Sequence, residues 1–439
     1  MEHVVIIGNG IAGVTAARHI RKNSDKRITI ISGEADHFFS RTALMYVYMG
    51  HMRWQDIKPY EDWFWEKNRI ELKKAWVEKV DVENKRLIFA QGEKFSYDTL
   101  IIASGSLTAK YNWPGQDLNG VQGLVTKQDL ELLEKNAPNN KECKHAVIIG
   151  GGLIGVELAE MLHTRKIPVT MLVREEGFWS SVLPMGEASM ISRHIKSHGI
   201  DLRHGEELDT IIDDGDGNVK AIITKKGEEI ICDLVGITTG VKPNISFLEN
   251  SGIECGKGIL VDEHLQTNVD SVYAIGDCAQ LRNAPSHRKS IEAVWYVGRM
   301  MGETVAQNIC GKTFKYKPGH WFNSAKFFDI EYQTYGQVSS EKNKPENEAH
   351  FHWKHDDDTK WVTIAYDKNS NQFLGINTFG IRMRHEVLDR WLSEKVSIDH
   401  VVENLAKANF DPEFFTRLEP QILKAFNLKQ PDLTGFQNL

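Results

Sequence analysis

The sequence predicts an α/β chain that contains two doubly wound parallel sheets, followed by an α+β region. Two observations lead to this prediction. A strand, a glycine-rich turn and a helix follow one another at the N-terminus, with the turn GNGIAG at residues 8–13. The same order returns in HAVIIGGGLIGVELAEML at residues 145–162. Parallel strands need a crossover helix between them, and this pattern supplies one in each case.

Length and charge limit the class of protein. The chain has 439 residues and a net charge of −7, which favours several domains and argues against a nucleic-acid partner. It contains no apolar run of about 18 residues and no N-terminal signal-peptide pattern. We therefore expect no transmembrane segment and a cytoplasmic location.

The cysteines are scattered without a close pair or a metal-ligand spacing, as expected for reduced intracellular thiols. They are Cys143, Cys232, Cys255, Cys278 and Cys310. No such spacing joins His287, His320 and His385 either. The sequence therefore predicts no metal ligands.

The first glycine turn has the features that a dinucleotide pyrophosphate needs. Its first glycine makes a tight turn, its second leaves room for phosphate, and its third lets the helix pack on the strand. The candidate ligands are Gly8, Gly10, Ile11, Ala12 and Gly13. Glu34, at the end of the next strand pattern, is predicted to bind a ribose hydroxyl.

The second glycine turn repeats this arrangement with one change. Its candidate ligands are Gly150, Gly152, Ile154 and Gly155. The next strand ends at Arg174 instead of an acid, and an arginine there suits a 2′-phosphate, which favours NADPH over NADH. Glu175 and Glu176 follow and would repel a phosphate, so a surface arginine beside an acid that binds the ribose stays an alternative.

An ordered set of motifs extends the two turns. IIASGS lies at 101–106, GVKPN at 240–244 and GILVDEHLQTNVDSVYAIGDCA at 258–279. With these motifs, residues 1–330 resemble the FAD-dependent pyridine nucleotide-disulfide oxidoreductase superfamily. The resemblance implies that Asp277 binds the ribityl or phosphate region of the flavin. It implies further cofactor contacts at Ala103, Ser104, Gly105, Gly240 and Gly276.

The branch of the family is predicted from the positions at which this chain differs from other members. Disulfide reductases carry a C-x-x-x-x-C pair where this chain reads HFFSRTALMYVYMG, and no cysteine lies between Met1 and Asn140. Thiol–disulfide and cysteine-sulfenate chemistry are therefore excluded. FFSRTAL resembles the ferredoxin-reductase stretch aromatic-x-Arg-Pro-x-Leu-Ser, with Arg41 in the place of its arginine, a partner for the pyrophosphate or flavin. Thr42 replaces the usual proline.

SIEAVW at 290–295 resembles a ferredoxin-reductase segment whose helix directs its N-terminus at the flavin ring. We expect this helix at about 291–309, with Val294 as a cofactor contact. The candidate catalytic residues are Glu292, Trp295 and Glu157, the last on the second glycine helix. Alternatively, Glu292 is a helix cap and Trp295 is a packed aromatic residue. Trp321 falls where such chains place an aromatic near the ring, although core packing is also typical.

Further patterns complete the predicted architecture. Residues 72–102 are expected to form a β-meander, 211–233 a hairpin and 320–380 aromatic-rich alternating strands, before a helical tail that packs on the body, forms a homodimer or docks a partner. The fold class is two Rossmann-like dinucleotide-binding domains of the three-layer ββα/βα type plus a C-terminal α+β domain with an antiparallel sheet. The predicted segments are 1–113 (FAD, first part), 114–245 (NAD(P)H), 246–317 (FAD, second part) and 318–439 (C-terminal, on the acceptor side).

These features together predict a tightly bound FAD with NADPH or NADH as cosubstrate. The hydride is expected to pass from NAD(P)H to the flavin, and the electrons then go directly to an acceptor. An iron–sulfur or rubredoxin-type protein is the first choice. Alternatives are a quinone or small molecule in a cavity near Tyr46, Tyr48 and Met52, and a redox-sensing flavoprotein that acts by interaction.

Overall fold

The computed structural model describes residues 1–285, 287–410, 413 and 416–428. The chain divides into two compact units, each assembled from separate stretches of sequence. Unit 1 comprises Met1–Tyr111, Gln122–Pro138 and Thr239–Pro318. Unit 2 comprises Asn112–Val121, Asn139–Thr238 and the chain from Gly319 onward. The four predicted functional segments stay a prediction.

The α-helices, numbered in chain order, are α1 (Ile11–Asn23), α2 (Leu44–Tyr48), α3 (Trp63–Lys67), α4 (Lys127–Asn136), α5 (Leu153–Thr164), α6 (Met185–Ser197), α7 (Trp295–Ile309), α8 (His385–Glu394), α9 (Ile398–Glu403) and α10 (Glu419–Asn427). The strands are β1 (His3–Ile7), β2 (Arg27–Ser32), β3 (Ile70–Lys74), β4 (Val77–Asp81), β5 (Arg86–Phe89), β6 (Lys94–Ser96), β7 (Thr99–Ile102), β8 (Ser106–Thr108), β9 (Val121–Gln122), β10 (Ala146–Ile149), β11 (Val169–Val173), β12 (Asp201–His204), β13 (Leu208–Asp213), β14 (Val219–Thr224), β15 (Glu229–Ile231), β16 (Leu234–Ile237), β17 (Val241–Pro243), β18 (Ile259–Val261), β19 (Val272–Ala274), β20 (Ala279–Leu281), β21 (Phe322–Phe327), β22 (Ile330–Gly336), β23 (Glu348–Lys354), β24 (Trp361–Asp367) and β25 (Phe373–Phe379).

Unit 1 is built on a parallel sheet with the strand order β19-β7-β1-β2-β3. Its central strands are nearly continuous apolar runs that are buried, VVII in β1 and TLII in β7, as expected where both faces of a sheet are covered. The prediction of one meander over 72–102 was partly wrong. Only β4, β5 and β6 form an antiparallel sheet, because the flanking β3 and β7 pair with the parallel sheet instead.

Unit 2 contains a second sheet with the order β12-β11-β10-β16-β9, in which β12, β11, β10 and β16 are parallel. Beside it, β13, β14 and β15 form an antiparallel sheet. The hairpin predicted over 211–233 is confirmed, with the turn between Asp213 and Val219.

The C-terminal strands form an antiparallel sheet within unit 2, in the order β21-β22-β25-β24-β23. The tail helices α8, α9 and α10 bury apolar side chains in one cluster with this sheet, including Leu388, Trp391 and Val401 against Val362 and Ile364. Of the three arrangements open for the tail, its described part therefore shows packing on its own unit. The predicted fold class is confirmed. Within the described residues, no helix is long and apolar enough to cross a membrane.

Helix α7 begins later than expected. Val294 is extended (φ −136°, ψ 135°) and acts as the N-cap, so the helix starts at Trp295 and not at about residue 291. The helix crosses α1 closely, because a Cβ added at Gly302 would lie 2.6 Å from the carbonyl oxygen of Ala12. Close crossing of two helices requires such small residues at the contact.

Candidate dinucleotide sites

The first glycine turn has the geometry that its sequence predicts. Gly8 has φ +105°, and a Cβ there would lie 2.1 Å from the carbonyl oxygen of Ala103. A Cβ at Gly13 would lie 2.2 Å from the carbonyl oxygen of Gly8. At Gly10, by contrast, no described atom lies within 4 Å of the added Cβ. Gly8 and Gly13 thus allow close packing, while Gly10 borders open space that fits a phosphate.

The second glycine turn repeats these three roles. Gly150 has φ +117°, and its added Cβ would lie 2.7 Å from the carbonyl oxygen of Thr238. A Cβ at Gly155 would lie 2.6 Å from the carbonyl oxygen of Gly150, and the space around Gly152 is open among the described residues. Each unit therefore carries one cradle that a side chain would fill.

Helices α1, α5 and α7 begin without a side-chain cap, as do most other α-helices of the described structure. In the described structure, no side chain accepts a hydrogen bond at the N-caps of α1 (Gly10), α5 (Gly152) or α7 (Val294), and their first turns hold no acidic residue. Helix α4, by contrast, has a complete capping box with Thr126. Uncapped N–H groups and the helix dipole favour an anion at these three positions. Ile11, Ala12 and Ile154 lie in the first turns of α1 and α5.

The structure places the predicted ribose ligand in contact with the predicted pyrophosphate partner. The Arg41 guanidinium donates to both carboxylate oxygens of Glu34, at 2.8 and 2.7 Å. The amide of Lys127 donates to the same carboxylate at 2.9 Å. A carboxylate has about four acceptor positions, and three donors contact that of Glu34, so its predicted role toward a ribose hydroxyl stays a prediction. Arg41 orients the carboxylate.

Asp277 lies beside the first glycine turn. It belongs to a short 3-10 helix, Gly276–Cys278, and accepts a hydrogen bond from Ser106 Oγ at 2.9 Å. Gly276 has φ +74°, and its added Cβ would lie 3.0 Å from the Cβ of Ala12. Burial raises the pKa of Asp277 above its usual value, against the opposing effects of Ser106 and Arg41. Unit 1 thus brings Asp277 to the start of α1.

The strand ends that flank this turn are fixed by backbone contacts. The amide of Ala103 donates to Ile7 at 2.8 Å, and Ser104 Oγ donates to the carbonyl oxygen of Asn244 at 2.7 Å. Gly105 and Gly240 adopt positive φ values of 70° and 115°. These predicted contacts therefore lie where β8 and β17 pair.

Glu292 is engaged in a buried ion pair. Arg288 donates to its two carboxylate oxygens at 2.7 and 2.5 Å, and the two side chains are only 2% and 6% exposed. Arg288 also donates to the carbonyl oxygen of Pro318 at 3.0 Å. The pair fixes the segment before α7. Arg288 was not predicted from the sequence, although its spacing of four residues from Glu292 was a signal.

Trp295 is the first residue of α7 and is half-buried, with its ring edge-to-face on Tyr296 at 5.5 Å. In unit 2, Trp321 is also half-buried, and its carbonyl oxygen accepts from the amide of Gly336 at 2.7 Å. Both indoles therefore retain an exposed part. Their assignment to the cofactor stays a prediction.

Glu157 has a perturbed acidity. Burial, and next the charge of Glu160, raise the pKa of Glu157 to about 7, although Lys326 opposes them. Lys326 Nζ itself donates to Glu160 at 2.6 Å. A carboxyl group with a pKa near neutrality can hold or release a proton at cellular pH.

Arg174 directly follows β11, and its side chain is 74% exposed. Its Nε donates to Glu175 Oε1 at 3.2 Å. The ion pair is open to solvent and therefore weak. The guanidinium thus keeps most of its donors available to a ligand, while the adjacent acid lowers the local positive charge.

Two expectations about the acceptor side can be compared with the geometry. All five cysteines are among the described residues and all are free thiols. Burial raises the pKa of Cys143 and of Cys232 to about 12, which disfavours the reactive thiolate. Tyr48 is 1% exposed, and its hydroxyl donates to the carbonyl oxygen of Ala137. Met52, by contrast, is 42% exposed, and the cavity near these residues stays a prediction.

Residues 2–302 match the family described as pyridine nucleotide-disulphide oxidoreductase, and the chain belongs to this family of FAD-dependent NAD(P)H oxidoreductases. A curated NADH oxidase from Methanocaldococcus jannaschii is 30% identical over 74% of this chain and 74% of its own length.

Other relatives carry different names. A nitrite reductase [NAD(P)H] from Bacillus subtilis is 31% identical over 64% of this chain, which spans only 35% of that protein. The ferredoxin–NAD(+) reductase subunit of a benzene 1,2-dioxygenase system from Pseudomonas putida is 29% identical over 71% of this chain and 75% of that protein. A ferredoxin reductase structure from Rhodopseudomonas palustris has a TM-score of 0.79 at 22% identity, covering 97% of this chain and 100% of its own. That likeness shows a shared fold.

Proposed function

We propose that this chain takes a hydride from NAD(P)H and passes the electrons, by way of bound FAD, directly to an iron–sulfur or rubredoxin-type protein. The observation that carries the proposal is the pair of glycine cradles, one in each unit, in a chain whose five cysteines are all unpaired. A relative named as a ferredoxin reductase subunit supports the type of acceptor.

We assign FAD to unit 1. The open space at Gly10 and the free amides of α1 would hold the pyrophosphate, and Glu34 would accept a ribose hydroxyl with its remaining acceptor position. Asp277 lies at the same turn and would bind the ribityl or phosphate region. When bound, the flavin supplies a carrier that takes two electrons from a nicotinamide and can release them one at a time.

Helix α7 would stabilise negative charge on the cofactor. Its uncapped N-terminus carries about half a positive elementary charge from the helix dipole. The buried Arg288–Glu292 pair fixes the segment that leads into the helix, so we assign Glu292 as a positioning residue. Val294 and Trp295 stand at the helix start, where the indole would shield the ring from water.

We assign the nicotinamide cosubstrate to the cradle of unit 2. Gly152 and the free amides of α5 would hold its pyrophosphate. Glu157, on the same helix, would hold or release a proton near neutral pH and is the proposed catalytic carboxyl group. Arg174 would bind a 2′-phosphate, which makes NADPH the proposed cosubstrate.

The substitution Arg174→Ala tests the cosubstrate. Because the arginine is exposed, we expect a fall of roughly tenfold in kcat/KM for NADPH, about 1.4 kcal/mol, with little change for NADH. Lys226→Ala is the matched control, since Lys226 is also exposed and paired with an acid, Glu206. An NADPH/NADH ratio that is the same in Arg174→Ala and in the parent protein would refute the phosphate role.

The acceptor is tested by stopped-flow kinetics on the FAD-loaded protein. The protein is reduced with NADPH and then mixed with ferredoxin, rubredoxin, a menaquinone analogue or oxygen. We expect rapid reoxidation by one of the iron proteins, and equal rates after the accessible thiols are alkylated. Fast reoxidation by the quinone alone would disprove a protein acceptor, and loss of activity on alkylation would disprove direct transfer.

A further inference from the structure

Two histidines and an aspartate meet in unit 2, away from both glycine cradles in sequence. His194 and His198 are four residues apart at the C-terminal end of α6. Asp329 lies in the two-residue turn between β21 and β22. One potential ligand atom from each residue lies within 4.8 Å of the other two. We propose that these three side chains bind a divalent transition-metal ion, with Zn²⁺ as the best match.

The residue types and their spacing suit this ion. Two histidines at positions i and i+4 present their rings on one face of a helix, which is a recurrent metal-binding arrangement. Imidazole nitrogen and carboxylate oxygen are both ordinary zinc ligands, with bonds of about 2.0–2.2 Å. Three protein ligands leave the fourth tetrahedral position for water.

The hydrogen bonds of His198 leave a ligand atom available. Its Nδ1 lies 2.9 Å from the carbonyl oxygen of His194, so this nitrogen carries the proton and donates. Nε2 is therefore the ring nitrogen left to serve as a ligand atom, and it lies 3.8 Å from Asp329 Oδ1. This separation is too long for a direct hydrogen bond, and a metal ion placed between the two atoms would bind both. A carbonyl that fixes the tautomer of a histidine in this way is typical of the outer shell of metal sites.

A simple ion pair accounts for only part of the cluster. His194 Nε2 and Asp329 Oδ1 lie 2.6 Å apart, which is a hydrogen bond. That contact makes no use of His198, whose ring is held in place by stacking on Phe328 at 4.3 Å. Phe328 adopts φ +57°, an uncommon value for an aromatic residue. The turn that carries Asp329 thus has an uncommon backbone conformation beside the stacked ring of His198.

Accessibility and charge also favour an ion. The Asp329 side chain is 76% exposed and free to adjust, while those of His194 and His198 are 11% and 28% exposed and more fixed. The site lies at the C-terminus of a 13-residue helix, where the helix dipole favours positive charge. A bound ion would connect α6 to the β21–β22 turn.

Isothermal titration calorimetry of Zn²⁺ into the tag-free, chelator-treated holoprotein tests the proposal. We expect one equivalent to bind and to raise the Tm. Loss of an outer-shell partner already costs roughly 10- to 100-fold in affinity. His198→Gln and Asp329→Asn, which each remove a ligand, should therefore weaken binding at least as much and abolish the rise in Tm.

His355→Asn is the matched control, because His355 pairs with one aspartate, Asp357, at 3.0 Å on the same unit. This variant should bind Zn²⁺ like the parent protein. The proposal is overturned if the parent protein binds no Zn²⁺ more tightly than about 100 µM. It is also overturned if His198→Gln and Asp329→Asn, shown to be folded by circular dichroism, retain the parent affinity. Should one of them fail to fold, His194→Gln replaces it.

Discussion

The buried pair between Arg288 and Glu292 gives a direct test of what Glu292 does. In Glu292→Gln, the Arg288 guanidinium keeps its buried position but loses the charge that compensates it. Removal of one partner from a buried ion pair costs about 3–5 kcal/mol. For a cooperative unit of about 150–250 residues, each kcal/mol lowers the Tm by about 2–4 °C, so we expect a fall of about 6–20 °C.

An exposed ion pair within α7 supplies the matched control. Arg299 and Glu303 are also four residues apart, at 3.1 Å, but their side chains are 57% and 38% exposed. Glu303→Gln should therefore cost less than about 0.5 kcal/mol. The double variant Arg288→Met/Glu292→Leu should be more stable than either buried single variant, since apolar replacement of a whole buried pair is often neutral or stabilising.

The assay is urea unfolding of the holoprotein, followed by circular dichroism at one fixed FAD concentration because bound ligand adds to stability. Turnover is measured separately at a temperature where every variant is folded. A positioning residue predicts a large loss of stability and a modest change in kcat. The reasoning fails if Glu292→Gln unfolds like the parent protein, and a fall in kcat of about 100-fold in that case would assign a catalytic role.

Three other predictions concern the cradle, the pH response and the quinone alternative. Gly8→Ala should lose FAD, because the backbone at Gly8 has φ +105° and an added Cβ would lie 2.1 Å from the carbonyl oxygen of Ala103. The flavin-to-protein absorbance ratio measures this loss. The control Gly92→Ala should keep the cofactor, since Gly92 also has a positive φ but faces open space in the described structure. Burial raises the pKa of Glu187 to about 8 from an ordinary 4.5, so the native state holds the extra proton and stability should fall as pH rises through this range. In Glu187→Gln, the decrease in the free energy of unfolding with rising pH should be smaller by a few kcal/mol. Urea unfolding at several pH values measures this decrease, and the same pH dependence in variant and parent protein would contradict the prediction. Tyr48→Phe should cost about 1–2 kcal/mol and leave the rate of quinone reduction unchanged, whereas a slower rate would support the quinone alternative.

The glycine turns could be predicted from sequence because each depends on neighbouring residues. The spacing of Gly8, Gly10 and Gly13 between a strand and a helix fixes a local backbone path, and the structure reproduces it. Parallel strands such as β1 and β10 could also be predicted, because each is a short apolar run. The sequence pattern is sufficient to predict a structure that is formed by residues close together in the chain.

Features that depend on distant partners were missed. His194 and His198 have a visible spacing, but their third partner, Asp329, lies far along the chain and comes close only through the packing of unit 2. In the same way, β3 and β7 read as parts of a meander because their pairing with β2 and β1 is non-local. Glu292 was predicted from the family resemblance to be a candidate catalytic residue, and only the structure shows that its carboxylate faces Arg288.

The close crossing of α1 and α7 has a consequence for biosynthesis. Gly302 lies close to Ala12 in the first turn of α1, so the ribosome must translate the chain as far as α7 before that turn gains its neighbour. Contacts of such long sequence separation form slowly. Nascent chains shorter than this would expose the apolar face of α1, a state prone to aggregation. Cofactor loading should therefore occur late in synthesis, and chains that terminate before α7 should be recovered without flavin.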